Sequence, residues 1–306
     1  MIWQDNWDRD HARLLKGDYE AFPHTNWIPT GSPENIGHRT PNFGKPFWEG
    51  QKEDITLLVN ADFGMGDTIQ FWRFMPLVKD RVARVFLRCD EDFKTLLTGV
   101  EIVGKDDPLP EFDKMVHMMS LPRVLGLKKN DISGQPYLKP NDEHQLPFEL
   151  RATLPLGRGS KIGLCWQGNP FNPRDSLRSF PDLVLGQFLH WFPPQIHFFG
   201  LNKVGDIVSD RIWEMRGYMT DWNQTAQLLQ FLDCVISVDT AVAHLAGALG
   251  VPVWLIVPTE NPDWRWGTEG EKTLWYDSMT IFRRTGSWDD IVSEVAKAVI
   301  ERPSFS

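Results

Sequence analysis

The chain has 306 residues, with 32 Lys plus Arg against 41 Asp plus Glu, for a net charge of −9. This length exceeds the size at which one hydrophobic core stops growing, so we expect two domains of roughly 100 to 150 residues. The acidic balance, without a run of basic residues, disfavours binding to unmodified nucleic acid. The N-terminal segment is polar and no stretch approaches the roughly 18 apolar residues of a membrane span, so we expect a soluble protein. The use of cysteine, without a CxxC pair, is typical of a cytoplasmic protein.

The sequence offers little for a metal site or a redox site. The three cysteines, Cys89, Cys165 and Cys234, each fall in or beside a predicted strand without a CxxC pair, so we expect buried, reduced thiols. No HExxH or Gly-x-Ser-x-Gly motif is present. The acidic triplet at 90–92 precedes a predicted helix, where the helix dipole favours acidic residues. We therefore expect neither a bound metal nor another cofactor.

The first half of the chain predicts an extension and one α/β domain. Residues 1–47 contain one predicted helix, at about 8–20, followed by an irregular segment rich in Pro, Gly and Asn. Strands are predicted at 55–60, 84–88 and 101–103 and within 111–127, and they alternate with helices. The first of these helices runs from about 68 to 80 and bends at Pro76. This alternation predicts a parallel α/β domain over 48–155.

A second α/β domain is predicted over 156–306. The composition changes to Pro, Asn, Gly and charged residues between 130 and 160, so we place the linker near 150–160. Strands are predicted at 161–166, 195–199, 235–238, 251–257 and 280–284. Helices are predicted at 182–191, 222–232, 241–249 and 288–300, with a helix or turn at about 207–215.

The segment 234–258 is the clearest βαβ unit. A short apolar strand leads through Asp239 and Thr240 into a helix of small residues that stops at Gly250. We predict Asp239 as the N-cap, which would aim the first helical amides at the carboxyl end of the strand, where anions bind. Thr240 and His244 are four residues apart and so share one helix face. Two interpretations of His244 stay open, a phosphate ligand or a satisfied core histidine.

The first domain has a comparable turn at Gly64, Met65, Gly66 and Asp67. It follows a strand and opens a helix, but it lacks the third glycine of a dinucleotide fingerprint and the Gly-Lys-Ser/Thr of a P-loop. Asp67 is either a simple N-cap or a general base.

Basic side chains follow the first strand of the second domain. In the loop after Trp166 these are Arg174 and Arg178, and Arg178 precedes the helix predicted from 182. A guanidinium at this edge of the sheet would pair with a diphosphate. We therefore expect the second domain to hold a phosphorylated donor and the first to present a carboxylate base to an acceptor.

Several of these motifs together resemble a known family. They are GMGDTIQFWRFMPLV, KIGLCWQGNP, DSLRSFPDL, CVISVDTAVAHLAGALGVPVWLIVP and PDWRWG. The chain resembles the C-terminal glycosyltransferase region of bacterial tetratricopeptide-repeat proteins and, more distantly, the lipopolysaccharide heptosyltransferases of family 9. LLKGDYEAF resembles the remnant of one last repeat helix. The resemblance implies a GT-B fold, with two Rossmann-like domains facing a cleft and a last helix that crosses back to the first domain.

The resemblance also implies roles for particular residues. Asp67 matches the aspartate proposed as general base, and Arg178 sits where the heptosyltransferases place a phosphate-binding lysine. The donor-binding Asp-Thr-Gly-x-x-His pattern is matched by Asp239, Thr240, Ala241 and His244, with Ala241 in place of the glycine. Further candidates for the cleft are Gly64, Met65, Gly66, Gln167, Asn169, Asn202, Asp263, Trp264 and Arg265.

The function implied is an inverting, metal-independent glycosyltransferase of the hexosyl or heptosyl type. Its partners would be a nucleotide-sugar donor and a glycan or other acceptor with a free hydroxyl group. Two alternatives remain, a non-catalytic module that binds a nucleotide sugar or glycan, and a sugar-nucleotide epimerase on the same fold.

Overall fold

The computed structural model describes residues 2–18, 21–22, 43–142, 159–172, 175–203 and 209–301. The chain divides into two compact units, Met1–Ser133 and Gly134–Ser306. The linker predicted near 150–160 lies mainly outside the described residues. Residues before it already bond to the second unit, because the backbone N–H groups of Tyr137 and Leu138 donate to the Ala248 carbonyl at 2.9 and 3.1 Å. The second unit therefore begins well before the boundary at 155/156 that the change in composition indicated.

The first unit contains a four-stranded sheet. Its strands are β1 (Glu53–Asn60), β2 (Val82–Cys89), β3 (Glu101–Gly104) and β4 (Lys114–His117). They lie in the order β3-β2-β1-β4, and every neighbouring pair is parallel. The sequence prediction of a parallel α/β unit is confirmed.

The helices of the first unit differ in detail from the prediction. Helix α1 spans Ile2–Leu15, earlier than the predicted 8–20. It ends because Gly17, at φ 77°, donates its N–H to the Leu14 carbonyl. The single helix predicted at 68–80 is two helices, α2 (Met65–Trp72) and α3 (Met75–Lys79), followed later by the short α4 (Leu121–Val124). Pro76 lies in the first turn of α3, where its missing N–H removes no helical bond.

The second unit contains a six-stranded parallel sheet in the order β10-β9-β8-β5-β6-β7. Its strands are β5 (Lys161–Cys165), β6 (His197–Gly200), β7 (Ile212–Glu214), β8 (Cys234–Val238), β9 (Val253–Pro258) and β10 (Met279–Arg284). The helix or turn predicted at about 207–215 is wrong at 212–214. These residues form an edge strand, because Ile212 pairs with Phe198 of β6. Residues 204–208 lie outside the described part of the chain.

Five helices of this unit are described, and the longer ones match their predictions closely. They are α5 (Asp175–Arg178), α6 (Asp182–His190), α7 (Trp222–Phe231), α8 (Ala241–Leu249) and α9 (Trp288–Ile300). Helix α8 stops at Gly250, whose φ of 78° favours glycine. Helix α9 packs against α6 and β10, and its Ile291, Val295 and Val299 enter the core. The predicted crossing of this helix to the first unit stays a prediction.

Within the described ranges, no helix is long and apolar enough to cross a membrane. The three cysteines are buried, reduced thiols, as predicted. The acidic triplet at 90–92 is engaged in ion pairs rather than grouped around a common point: Asp90 contacts Lys105 at 2.9 Å and Glu91 contacts Lys94 at 2.8 Å. In the same described residues, no group of three or more His, Cys, Asp or Glu side chains could hold a metal ion.

Both sheets reverse their strand order at one place. The chain builds β1, β2 and β3 outward and then adds β4 on the other side of β1, and it repeats this pattern with β5, β6, β7 and β8. Such a topological switch point, at the carboxyl ends of the strands, is where open α/β sheets bind ligands. We call these the first switch point, between β1 and β4, and the second switch point, between β5 and β8.

Candidate functional site

Two turns meet at the second switch point. One follows β5 and the other follows β8. The guanidinium of Arg178 donates from Nη1 to the Asp239 carbonyl at 2.5 Å. The Cys165 thiol lies 3.5 Å from the Thr240 hydroxyl. Arg178 and the Asp239–Thr240 turn, which the sequence predicted as parts of one site, are therefore in contact.

Arg178 is held in place from its own side of the site. It is the last residue of α5, not part of an open loop as predicted, and its Nε donates to Asp175 Oδ1 at 3.0 Å. Ser179 Oγ donates to Asp175 Oδ2 at 2.8 Å and accepts the Gly168 N–H at 2.9 Å. A Cβ at Gly168 would lie 2.3 Å from Asp175 Oδ1 and 2.4 Å from Arg178 Nη2. The turn therefore needs glycine where the carboxylate and guanidinium approach its backbone. Arg174 lies outside the described residues.

Asp239 is not the N-cap of α8, which corrects the prediction. The cap is Thr240, whose extended backbone leads into the helix and whose side chain makes no capping bond. Its hydroxyl instead lies 3.1 Å from Ser237 Oγ. The first turn of α8, which begins at Ala241, has no acidic residue. The positive end of the helix dipole is therefore not neutralised by a carboxylate of its own first turn.

A small cavity of about 80 Å³ opens beside these turns. Three of the predicted site residues, Arg178, Asp239 and Asp263, line it. Its other lining residues are Asn172, Leu177, Val257, Pro258, Asn261 and Trp266. A larger depression, of about 370 Å³, lies in the first unit, at the edge of the sheet formed by the amino ends of β2 and β3. That edge is not where parallel strands place ligand sites.

The charged groups at the cavity are largely paired. Arg265 contacts both carboxylate oxygens of Asp263, at 3.0 and 3.1 Å, and its guanidinium packs 4.4 Å from the Trp264 ring centroid. Arg265 and Trp264 are both buried and do not line the cavity, although the sequence placed both among the candidates. The Asp263 side chain therefore lines the cavity, and the buried Arg265 guanidinium holds its carboxylate in place.

The Asp239 carboxyl has a raised pKa of about 6. Burial is the main cause and the neighbouring Asp263 carboxylate adds to it, while Arg178 and Arg265 oppose the rise. Near neutral pH the Asp239 carboxyl is therefore close to its pKa.

His244 has the contacts of a satisfied core histidine, and its role as a phosphate ligand stays a prediction. It is only 5% exposed, and its Nδ1 lies 2.8 Å from the Tyr276 hydroxyl, as expected of a satisfied core histidine. Its Nε2 lies 3.9 Å from Asp239 Oδ1, and its ring packs on Trp266 at 5.3 Å. A Cβ at residue 247 would lie 2.6 Å from the Tyr276 ring, so Gly247 makes room for this partner. One ring nitrogen is anchored while the other faces the cavity-lining Asp239.

Three other predicted candidates lie on neighbouring turns but do not line the cavity. The buried Asn202 accepts the Trp166 N–H at 3.0 Å and so joins the ends of β5 and β6. Asn169 accepts the Phe171 N–H at 3.0 Å, and the Gln167 carbonyl accepts from the Cys165 thiol at 3.8 Å. These contacts explain local structure and leave any ligand role of the three residues as a prediction.

The Gly64–Asp67 turn lies in the first unit. Gly64 is the N-cap of α2, Met65 and Gly66 are its first residues, and Asp67 is the third. The Asp67 carboxylate accepts the Gly64 N–H at 2.9 Å, so it is not the N-cap that the simpler interpretation proposed. The role of Asp67 as a base stays a prediction.

The sequence did not predict the residues that hold the site residues in place or that complete the lining of the cavity. Asp175 and Ser179 orient Arg178, and Tyr276 anchors His244 from 32 positions along the chain. Trp266 and Asn261 line the cavity, and Asn261 has a positive φ of 51°. The Gly247 position inside a helix was the available signal for a large packing partner.

A model of a known protein family matches part of the second unit. The model of glycosyltransferase family 9 (heptosyltransferase) matches residues 219–267. This segment contains α7, β8, α8 and β9 and extends through Trp264–Trp266. It therefore includes Asp239, His244 and Asp263 at the second switch point.

Whole-chain comparisons extend the likeness. FlbA from Caulobacter vibrioides is 30% identical over 291 residues, which cover 82% of this chain and 48% of FlbA. The chain thus spans about half the length of this curated relative. A glycosyl transferase of family 9 from Veillonella parvula has a TM-score of 0.53 at 10% identity, covering 83% of this chain and 92% of that one. The ADP-heptose lipopolysaccharide heptosyltransferase II of E. coli has a TM-score of 0.55 at 11% identity, covering 80% and 96%.

At sequence identities this low, the two solved structures show a similar fold and nothing more. That fold is the GT-B class predicted from the sequence. The family match adds that the turn after β8 and the helix that follows it, with Asp239 and His244, lie within a glycosyltransferase family 9 segment. The chain therefore has the GT-B fold of glycosyltransferases, and its segment 219–267 is similar to glycosyltransferase family 9.

Proposed function

We propose that the chain transfers a sugar from a nucleotide-sugar donor to an acceptor hydroxyl, with inversion and without a metal ion. The observation that carries the proposal is the contact of Arg178 with Asp239, which joins the turn after β5 to the turn after β8. The turn after β8 lies inside the family 9 segment. A guanidinium next to a helix N-terminus is a combination suited to a diphosphate.

The second switch point would hold the donor diphosphate. The cavity of about 80 Å³ is smaller than the roughly 300 Å³ or more of pockets that enclose whole small molecules. It therefore suits the diphosphate part of a donor. Arg178, the first amides of α8 and His244 Nε2 would supply the positive charge and hydrogen-bond donors that a metal supplies in other enzymes.

The chemical step follows from these roles. The Asp67 carboxylate accepts the proton of the acceptor hydroxyl as its oxygen bonds to the anomeric carbon. The bond from that carbon to the diphosphate oxygen breaks, and the electron pair leaves with the nucleoside diphosphate. Attack on the face opposite the leaving group inverts the configuration. Arg178 and His244 stabilise the charge on the departing diphosphate.

The donor class can be tested with a panel of nucleotide sugars that includes ADP-heptose, the donor named for the E. coli structural relative. We expect one donor to raise the melting temperature of the chain and to release nucleoside diphosphate when lysate acceptors are added, in the presence of EDTA. Arg178→Met should lose both effects, whereas Arg216→Met, which removes an exposed arginine paired with Glu214, should retain them.

The same assay separates the alternatives. A binding module would bind a donor tightly without releasing nucleoside diphosphate. An epimerase would isomerise the donor with no acceptor present. Either result would contradict the proposed transfer, and so would turnover that stops on addition of EDTA and returns with a divalent metal ion.

A further inference from the structure

A row of buried polar side chains crosses the first sheet at the first switch point. In the strand register Asn60 of β1 pairs with Arg88 of β2 on one side and with His117 of β4 on the other. Asn60 and His117 are 0% and 2% exposed, and the Arg88 side chain is 16% exposed. We call these three residues the polar row. The residues before it on the same strands, such as Val59, Leu87 and Val116, are buried and apolar.

Asp62 follows β1 and lies against all three members of the polar row. Asn60 Nδ2 donates to Asp62 Oδ2 at 2.5 Å. Arg88 Nη1 lies 3.4 Å from Oδ1, and His117 Nδ1 lies 3.5 Å from Oδ2. The Asp62 side chain remains 15% exposed. The polar row thus fixes one carboxylate at the carboxyl end of the sheet.

The polar row is not fully satisfied within the protein. His117 Nδ1 is buried and has no hydrogen-bond partner among the described residues, since its contact with Asp62 is longer than a good hydrogen bond. A buried polar group without a partner costs folding free energy that an apolar side chain would not. A loss of folding free energy of this kind is typical of functional sites.

The balance of charge indicates the kind of ligand. Asp62 carries one negative charge and Arg88 one positive charge beside it. A phosphate would be repelled by Asp62, whereas a hydroxyl can donate to the carboxylate without a net charge of its own. Aromatic rings flank the polar groups: Phe47 lies 5.7 Å from His117, and Phe43 lies 5.5 Å from the Arg88 guanidinium. Hydroxyl groups combined with apolar C–H faces are the properties of a sugar ring.

We propose that Asp62, positioned by Arg88, Asn60 and His117, binds a hydroxyl group of a carbohydrate acceptor. The inference rests on the proposed transfer reaction, because it places the acceptor in the first unit. Asp62 lies in the same strand-to-helix turn that leads to Asp67. Asp62 is thus a binding residue, and the three residues of the polar row are positioning residues.

Saturation-transfer NMR on the full chain tests the site without a donor. The probes are methyl glycosides of glucose, galactose, mannose, N-acetylglucosamine and glycero-manno-heptose. We expect at least one to bind the parent protein and Asp62→Asn to weaken that binding about tenfold, the loss of one hydrogen bond to a charged group. The matched control is Arg84→Gln, which removes an arginine from an exposed ion pair on β2 and should change nothing.

A pair of His117 variants separates positioning from folding. His117→Asn keeps an amide donor near the place of Nδ1 and should keep glycoside binding, whereas His117→Leu should weaken it by about the same factor as Asp62→Asn. Circular dichroism and binding of ADP, a probe of the donor site, identify any variant that has lost its fold.

The results of these experiments distinguish an error in the carbohydrate site from an error in the proposed transfer. If no glycoside binds the parent protein, or if a folded Asp62→Asn variant binds as tightly as the parent, the carbohydrate site is wrong. A peptide with a serine hydroxyl that binds in place of every glycoside would overturn it equally. Failure of all nucleotide sugars to bind or turn over would instead contradict the proposed transfer, while glycoside binding lost in Asp62→Asn would still support this site.

Discussion

The two units share one strand connectivity but present different chemistry where the strand order reverses. At the first switch point, helix α2 carries Asp67 in its first turn, and that carboxylate bonds the Gly64 N–H. At the second, helix α8 has no acidic residue in its first turn, and Thr240 gives it no side-chain cap. The first helix therefore neutralises its own positive end, while the second leaves that end available to an anion.

The arginine side chains at the two switch points differ in the same way. The first switch point places Arg88 against Asp62, so that its charge is balanced inside the protein. At the second, Arg178 contacts the Asp239 backbone carbonyl and lines the cavity. The two proposals thus assign a hydroxyl compound to one unit and a diphosphate to the other, and the assignment rests on a few side chains after the strands of a common fold. The predictions below test that division.

The largest effect is expected from Asp67→Asn. It should lower the rate of sugar transfer by about 10² to 10⁴-fold, because the amide cannot accept the proton. Asparagine still offers an oxygen to the Gly64 N–H, so folding and donor affinity should be nearly unchanged. Transfer is measured by product formation and affinity by calorimetry, with Asp106→Asn, an exposed carboxylate of the same unit, as control. Transfer at the parental rate would remove Asp67 from the role of base.

Arg178 should matter for the donor rather than for the acceptor. Arg178→Met should weaken donor binding about 10- to 100-fold, since it removes charge-assisted hydrogen bonds at the diphosphate. Arg178→Lys should recover part of this loss, because it restores the charge but not the bonds to both Asp175 and the Asp239 carbonyl. Calorimetric titration with the donor measures the effect. Unchanged affinity in Arg178→Met would show that the contact only joins the two turns.

Asp239 predicts an effect of pH on stability. Its pKa is raised in the folded state to about 6 from 3.8, so the folded state binds the proton more tightly than the unfolded state. This contribution to stability is fully present below about pH 4 and is lost as the pH rises through 6. Asp239→Asn should therefore be more stable than the parent at pH 7.5, by on the order of 2 kcal/mol, and of similar stability at pH 4.

The same carboxyl should link donor affinity to pH. ADP-glucose carries a diphosphate that does not titrate near pH 6, and it should bind more tightly as the pH falls from 8 to 6, because protonation removes the charge of Asp239. The affinity for ADP-glucose should change less with pH in Asp239→Asn than in the parent. Equal pH dependence in both proteins would assign the effect to another group. Denaturant titrations and calorimetry at each pH supply the two measurements.

Tyr276→Phe should have the smallest effect. It keeps the ring that packs against Gly247 and removes only the hydroxyl bonded to His244 Nδ1. We expect a loss of stability of about 1 kcal/mol and a few-fold loss of donor affinity. Nitrogen NMR of the His244 side chain should show a changed tautomer population. Tyr218→Phe, at a partly buried tyrosine in a short 3-10 turn, is the control. An unchanged His244 spectrum would contradict the positioning role.

The sequence by itself determined the local elements and their order. Helix α8 and helix α9 lie where the spacing of apolar residues predicted them, and α8 ends at Gly250 because that residue tolerates a positive φ. The apolar runs of β1, β5, β8 and β9 likewise predicted buried parallel strands. The Asp239–Thr240 turn and Arg178 were recognisable as one site because strand ends converge at a switch point.

Tertiary structure decided which side chains meet there. The polar row depends on strand register, which pairs Asn60 with Arg88 and His117, and register is not encoded in any one segment. Tyr276 reaches His244 only because the chain returns to α8 after β9. The edge strand β7 depends on pairing with β6. Only the backbone conformation shows that Thr240 rather than Asp239 caps α8. Periodicity and capping residues act within a few positions of the chain, whereas pairing and burial join residues that are distant in sequence.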